Sequence, residues 1–367
     1  MKPLAAAAAV LAAAGLGAAC GGGAAADPGQ AGAAAAARAA RLHAALDRAR
    51  RATGAPGAAA AVVTDGRVVW SGTSGRVGTG RAQRLGPRDR FILASVTKLA
   101  VAAMIMRLAE TGRLSLDDRL SRFVPTLPNA REITIRMLLA HRSGLPEYDD
   151  PALDAAAEDP RHRFTRDEVL RAIARHPPAF APGARFAYTN ANYIALGRVI
   201  ERVTGGSVEA ALQQLIARPL GLRSFSFRER VPGYGLARGS EPVNGELGDT
   251  FPGGRPPSDA IGPVWTDGGI AATAPDLARF AAGVFGGRLL RPASVRAMTT
   301  ATPGSDGYGL GVVIDGPVVG HDGAYGGFST FVGYDRETGT SVAALANRED
   351  DAEPGPAIGE AIWRASA

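Results

Sequence analysis

Residues 91–98 read FILASVTK, an apolar run that ends at Ser95 and continues into a helical pattern from Leu99 to Ala109. Lys98 follows Ser95 by three positions, close to one helical turn, so both side chains lie on the same face. This is the S-x-x-K arrangement of serine acyl transfer, in which a lysine helps to remove the serine proton. The stretch predicts a nucleophilic serine at the start of a helix.

Lysine usage indicates a specific role for Lys98. Lysine and arginine together number 41, and only Lys2 and Lys98 are lysines. Arginine stays protonated in proteins, whereas burial, nearby positive charge or a helix N-terminus can lower the pKa of a lysine. The competing interpretation is a lysine that follows a serine by chance on an ordinary buried helix, because short motifs match freely. Other parts of the chain decide between the two.

The first 19 residues have the pattern of an export signal, with Lys2 before an alanine-rich apolar run from Leu4 to Leu16. The run is too short for a convincing transmembrane helix. Cys20 is the single cysteine and follows this run, as the acylated cysteine of bacterial lipoproteins does. Two interpretations stay open: a lipid on Cys20 that anchors the protein to a membrane, and ordinary cleavage with secretion. Both predict an exported protein, either a cell-envelope lipoprotein or a secreted one.

Composition divides the rest of the chain. Residues 20–40 are rich in alanine and glycine, which predicts a tether. Strand patterns occur early, in a hairpin over residues 58–71, and late, between residues 309 and 345, with helical patterns between them. We therefore expect an α/β fold of the α+β type, in which helices flank an antiparallel β-sheet built from both termini and a mainly α-helical region is inserted. The expected boundaries are residues 41–105 and 259–367 for the sheet domain and 106–258 for the insertion.

Tyr188 and Asn190 form a second candidate motif. They are two positions apart in an irregular segment, where alternate side chains can point to the same side. A tyrosine can exchange protons with a lysine, and an asparagine can donate to a substrate carbonyl. Taken alone, a Y-x-N triplet is common, and an aromatic ring packed beside a turn explains it more simply.

The segment from His321 to Ala324 reads HDGA and follows a short hairpin pattern. A glycine in a strand lets a substrate approach the backbone closely. If this strand edge lies beside the start of the serine helix, the amides of Ser95 and Ala324 form an oxyanion hole. Taken alone, His321 is more simply a surface histidine at a turn.

Charge and histidine spacing argue against several function classes. The formal net charge is +6, but the arginines are scattered among acidic residues rather than clustered. We therefore expect no nucleic-acid partner. The five histidines show no metal-ligand spacing, so we expect no metal and no other cofactor.

Together the triplets S-x-x-K, Y-x-N and H-x-G have the order and spacing of the penicillin-recognising serine hydrolases. The chain resembles the branch of this superfamily that contains class C β-lactamases and secreted D-Ala-D-Ala carboxypeptidases. The similarity extends over most of residues 41–350 and includes an H-x-S-G-L segment that begins at His141. We interpret His141 and Ser143 as residues that shape this loop.

The resemblance implies a role for each candidate residue. Ser95 would become acylated, Lys98 would assist its deprotonation, and Tyr188 would move protons between the nucleophile, the leaving group and water. Asn190 would bind an acyl-side amide of the substrate. His321 would stand where other members have lysine, lending polarity or positive charge near the leaving group. Asp322, Gly323 and Ala324 would complete the substrate-binding strand.

Asp322 departs from the family pattern, which usually has a threonine whose hydroxyl helps to hold a substrate carboxylate. Two carboxylates 4 Å apart near a surface repel each other by about 1–4 kcal/mol. The hairpin before this strand, residues 312–317, has no arginine to attract the terminal carboxylate of D-Ala. An esterase, or an amidase for neutral or amine-bearing substrates, fits these two departures at least as well as a carboxypeptidase or β-lactamase. The orientation of Asp322 stays open.

From the sequence we expect a serine hydrolase that acts through an acyl-enzyme on Ser95. Its substrate is a small molecule or a peptidoglycan peptide: D-Ala-type peptides and β-lactams are one class, and small esters or amides are the other. The alternative outside the enzyme class is a penicillin sensor or cell-wall-binding lipoprotein that reacts once or not at all. A binding module has no use for the serine, lysine and tyrosine together.

Overall fold

A computed structural model describes residues 28–80, 83–157, 162, 164–227, 235–250 and 264–366. The expected export signal, residues 1–19, and Cys20 lie outside the described residues. Within the described ranges, none of the helices combines the length and the apolar character needed to cross a membrane.

In the described residues, a helix and three strands come first, a long helical stretch follows, and strands and helices make up the rest of the chain. The helices are α1 (Pro28–Ala52), α2 (Thr97–Glu110), α3 (Ile135–Leu139), α4 (Pro151–Ala157), α5 (Arg166–Arg175), α6 (Ala191–Thr204), α7 (Val208–Leu212), α8 (Arg218–Leu220), α9 (Ala274–Phe285), α10 (Pro292–Met298) and α11 (Pro354–Ser366). The strands are β1 (Gly57–Thr64), β2 (Arg67–Gly75), β3 (Phe91–Ile92), β4 (Ser226–Phe227), β5 (Ser240–Val243), β6 (Glu246–Asp249), β7 (Ile270–Ala272), β8 (Val313–Asp315), β9 (Val318–Tyr325), β10 (Phe328–Asp335) and β11 (Thr340–Ala346).

The main sheet has the strand order β2-β1-β11-β10-β9-β8, and its neighbouring strands are antiparallel. Strand β1 shows why both faces are covered. Ala58, Ala60 and Val62 pack with apolar residues of α1 and α11, whereas the alternate residues Ala59, Ala61 and Val63 belong to the larger core that contains α2 and α9. Because successive side chains of a strand point to opposite faces, an unbroken apolar strand is buried on both sides. The predicted fold class is confirmed.

The described part of the predicted tether is helical. Residues 28–40 form the first part of α1, which continues to Ala52. Alanine has the highest helix propensity, so a run without large apolar residues still forms a helix when it continues into a packed one. That packing comes from Leu42 and Leu46, which are fully buried against the sheet.

Two features of the fold position the Ser95 turn. Helix α2 is buried from Thr97 to Met106, as expected of a helix that is apolar on all sides. Its N-terminus meets strand β9, which extends beyond its pairing with β8: the β8–β9 pairing ends at Gly320, whereas β9 continues to Tyr325. The outer edge of β9 is therefore available to the Ser95 turn.

Candidate active site

Ser95 is the middle residue of the 3-10 turn that leads into α2. Ala94 before it has φ +48°, in the left-handed region that non-glycine residues rarely adopt. Leu93 holds the turn from two sides, because its N–H donates to Ile270 O at 2.7 Å and its carbonyl accepts from Thr330 Oγ1 at 2.8 Å. Strained backbone of this kind is concentrated at functional sites.

Lys98 is fully buried beneath the serine. Its Nζ lies 3.0 Å from Ser95 Oγ and donates to the main-chain carbonyl of Asp267 at 2.8 Å. The same nitrogen is 5.0 Å from the ring centroid of Tyr188 and 5.7 Å from that of Tyr193. The lysine is thus fixed within hydrogen-bonding distance of the hydroxyl whose proton it must exchange.

Tyr188 lies beside Lys98, and Asn190 follows it at the start of α6. Tyr188 stacks on His141, with ring centroids 4.2 Å apart, and its hydroxyl makes no hydrogen bond to a residue that the structure describes. Asn190 is the N-cap of α6 but makes no side-chain capping bond, while its main-chain N–H donates to Glu147 Oε2 at 2.8 Å. Both side-chain ends remain available to a substrate.

His321 is buried on β9, with 2% of its surface exposed. Its Nδ1 donates to the carbonyl of Asp322 at 2.5 Å, and its Nε2 accepts from the hydroxyl of Tyr308 at 3.2 Å. Burial lowers the pKa of His321 although the nearby Asp322 carboxylate favours the charged form. Burial also raises the pKa of Tyr308, which therefore keeps the proton that it donates. The histidine supplies polarity rather than positive charge.

Gly323 lies directly against the Ser95 turn. A Cβ atom at this position would be 2.6 Å from Ser95 N and 2.9 Å from Leu93 O. Only glycine allows β9 to approach the turn this closely.

The Ala324 amide points to the same edge. The hairpin of β9 and β10 closes through a two-residue loop flanked by the pair Tyr325–Phe328, and such flanking pairs are hydrogen-bonded. Because hydrogen-bonded and non-hydrogen-bonded pairs alternate, the Ala324–Ser329 pair belongs to the second kind, and the Ala324 N–H points away from β10. The Ala324 amide thus points to the edge of β9 that the Ser95 turn meets, as the predicted oxyanion hole requires.

Comparison with known proteins places this arrangement in a family. The family model described as Beta-lactamase matches residues 41–367. The chain belongs to the Beta-lactamase family. Penicillin-binding protein 4 of Amycolatopsis lactamdurans is 33% identical over 80% of this chain and 81% of its own length. The predicted membership of the serine β-lactamase and penicillin-binding protein superfamily is therefore confirmed.

Other relatives within the Beta-lactamase family have different names. Esterase EstB of Burkholderia gladioli is 35% identical over 53% of this chain and 53% of its own length, so the chain spans about half of that relative. A D-stereospecific amidohydrolase from Streptomyces sp. has a TM-score of 0.71 and 29% identity, and the match covers 86% of this chain and 97% of that structure. The family is one of serine hydrolases that includes esterases, amidases and penicillin-binding proteins.

Asp322 distinguishes the site of this Beta-lactamase family member. In the β9–β10 register it is opposite Phe331, which packs in the cluster containing α1 and α11, whereas His321 is opposite Val332 of the main core. The pleat therefore directs Asp322 to the α11 face of β9, away from the face of His321 and Gly323. Its carboxylate is nevertheless close enough to His321 to offset part of the lowering of the His321 pKa that burial causes.

Sequence reasoning missed a second group of acidic residues beside the site. Tyr148 donates from its hydroxyl to Asp267 Oδ2 at 2.6 Å, and Glu147 accepts from the amide of Asn190. Burial raises the pKa of Glu147, and the charges of Asp267 and Asp149 add to this effect. The signal was present in the sequence, because Glu147 and Tyr148 directly follow the H-x-S-G-L-P segment.

Proposed function

We propose that this protein hydrolyses small esters or amides that are uncharged, or that carry an amine, next to the scissile bond. One observation carries the proposal: at the leaving-group end of the site, His321 is neutral and buried where a substrate carboxylate would need a cation, and the carboxylate of Asp322, on the other face of the same strand, adds negative charge. The acidic residues Glu147 and Asp267 lie beside Asn190 and Lys98 and favour neutral or cationic substrates in the same way.

The reaction follows from the geometry. Ser95 Oγ attacks the substrate carbonyl carbon while its proton passes to Lys98 Nζ, 3.0 Å away. The negative charge on the carbonyl oxygen is stabilised by the amides of Ser95 and Ala324. The C–O or C–N bond breaks, and the proton reaches the leaving group through the hydroxyl of Tyr188. Water then attacks the acyl-enzyme, the acid is released, and Ser95 regains its proton.

The names of relatives support this substrate class. Burkholderia gladioli EstB is named an esterase, and the D-amino acid amidase of Ochrobactrum anthropi has a TM-score of 0.75 and 25% identity over 90% of this chain. A second candidate is a penicillin-binding peptidase, which the 33% identity to penicillin-binding protein 4 favours.

A matched pair of substrates separates the two candidates. We would compare kcat/KM of the full chain for an N-acylated D-Ala-D-Ala with a free C-terminal carboxylate and for the same peptide as its C-terminal amide. Chromogenic acetate and butyrate esters and D-alanine p-nitroanilide would run beside them, with Ser95→Ala as the inactive control. We expect the peptide amide to have a kcat/KM at least about fivefold higher than the free acid. A repulsion of about 1 kcal/mol between the site and the substrate carboxylate, the lower end of the expected range, gives this ratio.

The opposite preference would overturn the proposal. Faster hydrolysis of the free acid, together with a lasting penicillin adduct on Ser95 by intact-mass spectrometry, would identify a penicillin-binding peptidase. A transient adduct with hydrolysed penicillin would identify a β-lactamase.

A further inference from the structure

His141 lies directly behind the tyrosine of the proposed mechanism. It is fully buried, and its ring is nearly parallel to that of Tyr188, at an interplanar angle of 25°. Its backbone has φ +51°, in the region that non-glycine residues rarely adopt. A buried polar ring on a strained backbone has a structural or functional reason, since each feature costs free energy.

The same residue binds the main chain on both sides of Tyr188. The carbonyl of His141 accepts from the N–H of Ala187 at 2.9 Å, and its ring Nδ1 accepts from the N–H of Thr189 at 3.2 Å. With the ring stacking, three contacts from one residue specify where Tyr188 lies and how its ring is turned. A neutral His141 makes all three of these contacts.

A chain of hydrogen bonds assigns the protonation of the ring. The N–H of Leu145 donates to Ser143 Oγ at 2.9 Å, so the hydroxyl proton is directed to Asn192 Oδ1, which lies 2.5 Å away. The Asn192 amide group therefore presents Nδ2 to His141 Nδ1 at 3.0 Å. Since Nδ1 accepts two hydrogen bonds, the single ring proton is on Nε2.

Burial keeps His141 neutral. Burial lowers the pKa of His141 well below its ordinary value, and any positive charge on Lys98 or His321 would lower it further. Its other close neighbours are the aromatic rings of Phe186, Tyr193 and Tyr308. A neutral ring whose Nδ1 is already occupied cannot take the proton of Ser95, which excludes a role as general base.

We propose that His141 is the positioning residue for Tyr188: its ring and its Nδ1 together hold the tyrosine hydroxyl in line with Ser95 and Lys98. The role rests on the acyl-enzyme mechanism given above but not on the class of substrate. Displacing a catalytic group by about 1 Å can lower a rate by about 10²-fold, so a positioning residue can act strongly without touching the substrate.

Two substitutions divide the role into its parts. His141→Phe keeps a ring for stacking and removes the acceptor, whereas His141→Asn keeps an acceptor close to the place of Nδ1 and removes the ring. We expect each to lower the rate of Ser95 acylation by about tenfold, and His141→Ala, which removes both, by about 10²-fold. For the two milder variants kcat should fall while KM changes less than twofold. The control is Val199→Ala, a buried change in α6 that lowers the melting temperature without reaching the rings.

The probe should not depend on the natural substrate. A fluorophosphonate reacts with an activated serine as Oγ displaces fluoride from phosphorus, the serine proton passes to the protein, and fluoride leaves. Intact-mass spectrometry then gives the rate of Ser95 labelling. If the wild type is labelled but hydrolyses no neutral ester or amide, the proposed substrate class fails, and the role of His141 is still tested.

A double-mutant cycle provides the decisive result. Because His141 is proposed to act through the hydroxyl of Tyr188, His141→Asn should cost little more in a Tyr188→Phe background. A full tenfold loss in that background would show a general structural effect and overturn the proposal. Wild-type labelling rates in both His141→Phe and His141→Asn would overturn it as well.

Discussion

Gly323→Ala is the substitution that best tests the contact between β9 and the serine turn. A Cβ atom at this position would be 2.6 Å from Ser95 N, and an ordinary contact begins near 3.4 Å, so the two backbones must separate by about 0.8 Å. Neither partner is the flexible end of a side chain that could move aside. We therefore expect the new methyl group to displace the Ser95 amide from its partner, the amide of Ala324.

The expected losses follow from that displacement. Overpacking of a buried site costs about 1–3 kcal/mol of unfolding free energy. Loss of one oxyanion-hole donor lowers kcat by about 10²–10³-fold. We thus expect Gly323→Ala to fold with reduced stability and to lose at least about 10²-fold in kcat on a neutral chromogenic ester, with a smaller change in KM.

Two other glycines supply matched controls. Gly359→Ala in α11 would overlap the ring of Phe331 on the face of the sheet opposite α2, so it should lose similar stability and keep its kcat. Gly206→Ala has no atom within 4 Å of its new Cβ and should change neither property. Melting curves and steady-state kinetics of the three variants would run together. A Gly323→Ala protein with wild-type kcat would refute the proposed oxyanion hole, and an inactive Gly359→Ala would show that the loss is not local.

Three further substitutions test the charges of the site. Lys98→Arg should lower the rate of Ser95 acylation by about 10²–10⁴-fold, because an arginine cannot take up the serine proton. Fluorophosphonate labelling measures this rate, with Lys98→Met as the uncharged control. A normal labelling rate in Lys98→Arg would contradict the role of Lys98. Asp322→Thr should raise the second-order rate of acylation by a penicillin by up to about fivefold, since a negative charge on the other face of β9 repels the penicillin carboxylate by at most about 1 kcal/mol. An unchanged rate would mean that Asp322 does not act on the substrate carboxylate. His141→Phe should make the free energy of unfolding less dependent on pH between pH 7.5 and 5.5. Burial lowers the pKa of His141, so as pH falls through about 6.5 the unfolded chain binds a proton that the folded chain does not, and stability falls by up to about 1.4 kcal/mol per pH unit. Buried carboxyl groups with raised pKa values increase stability as the pH falls, but they do so equally in the wild type and in His141→Phe. Urea titrations at several pH values would measure the two slopes, and equal slopes would refute a neutral, buried His141.

Local periodicity was sufficient for several features. The pairing of Ser95 with Lys98 depends on one helical turn, and any α-helix that begins near the serine brings the two side chains together. Strand patterns predicted the central strands β1, β10 and β11, which are buried on both faces. The tether was inferred from alanine and glycine content, whereas the helix over residues 28–40 depends on alanine propensity and on the packing of Leu42 and Leu46 further along α1.

Other features depend on residues that are distant in the sequence. The need for glycine at position 323 comes from the Ser95 amide, which is 228 positions earlier in the chain and is brought to β9 by the buried helix α2. His141 begins the H-x-S-G-L segment, but its place in the sequence does not show its partner, and only the packing of α3 against α6 places its ring on Tyr188. The sequence by itself thus determined the candidate nucleophile, its lysine and the strands, because these depend on spacing along one element. The tertiary structure decided the close approach of Gly323 to Ser95, the burial of the two histidines and the support of Tyr188, because each needs groups from separate elements to meet in a buried space.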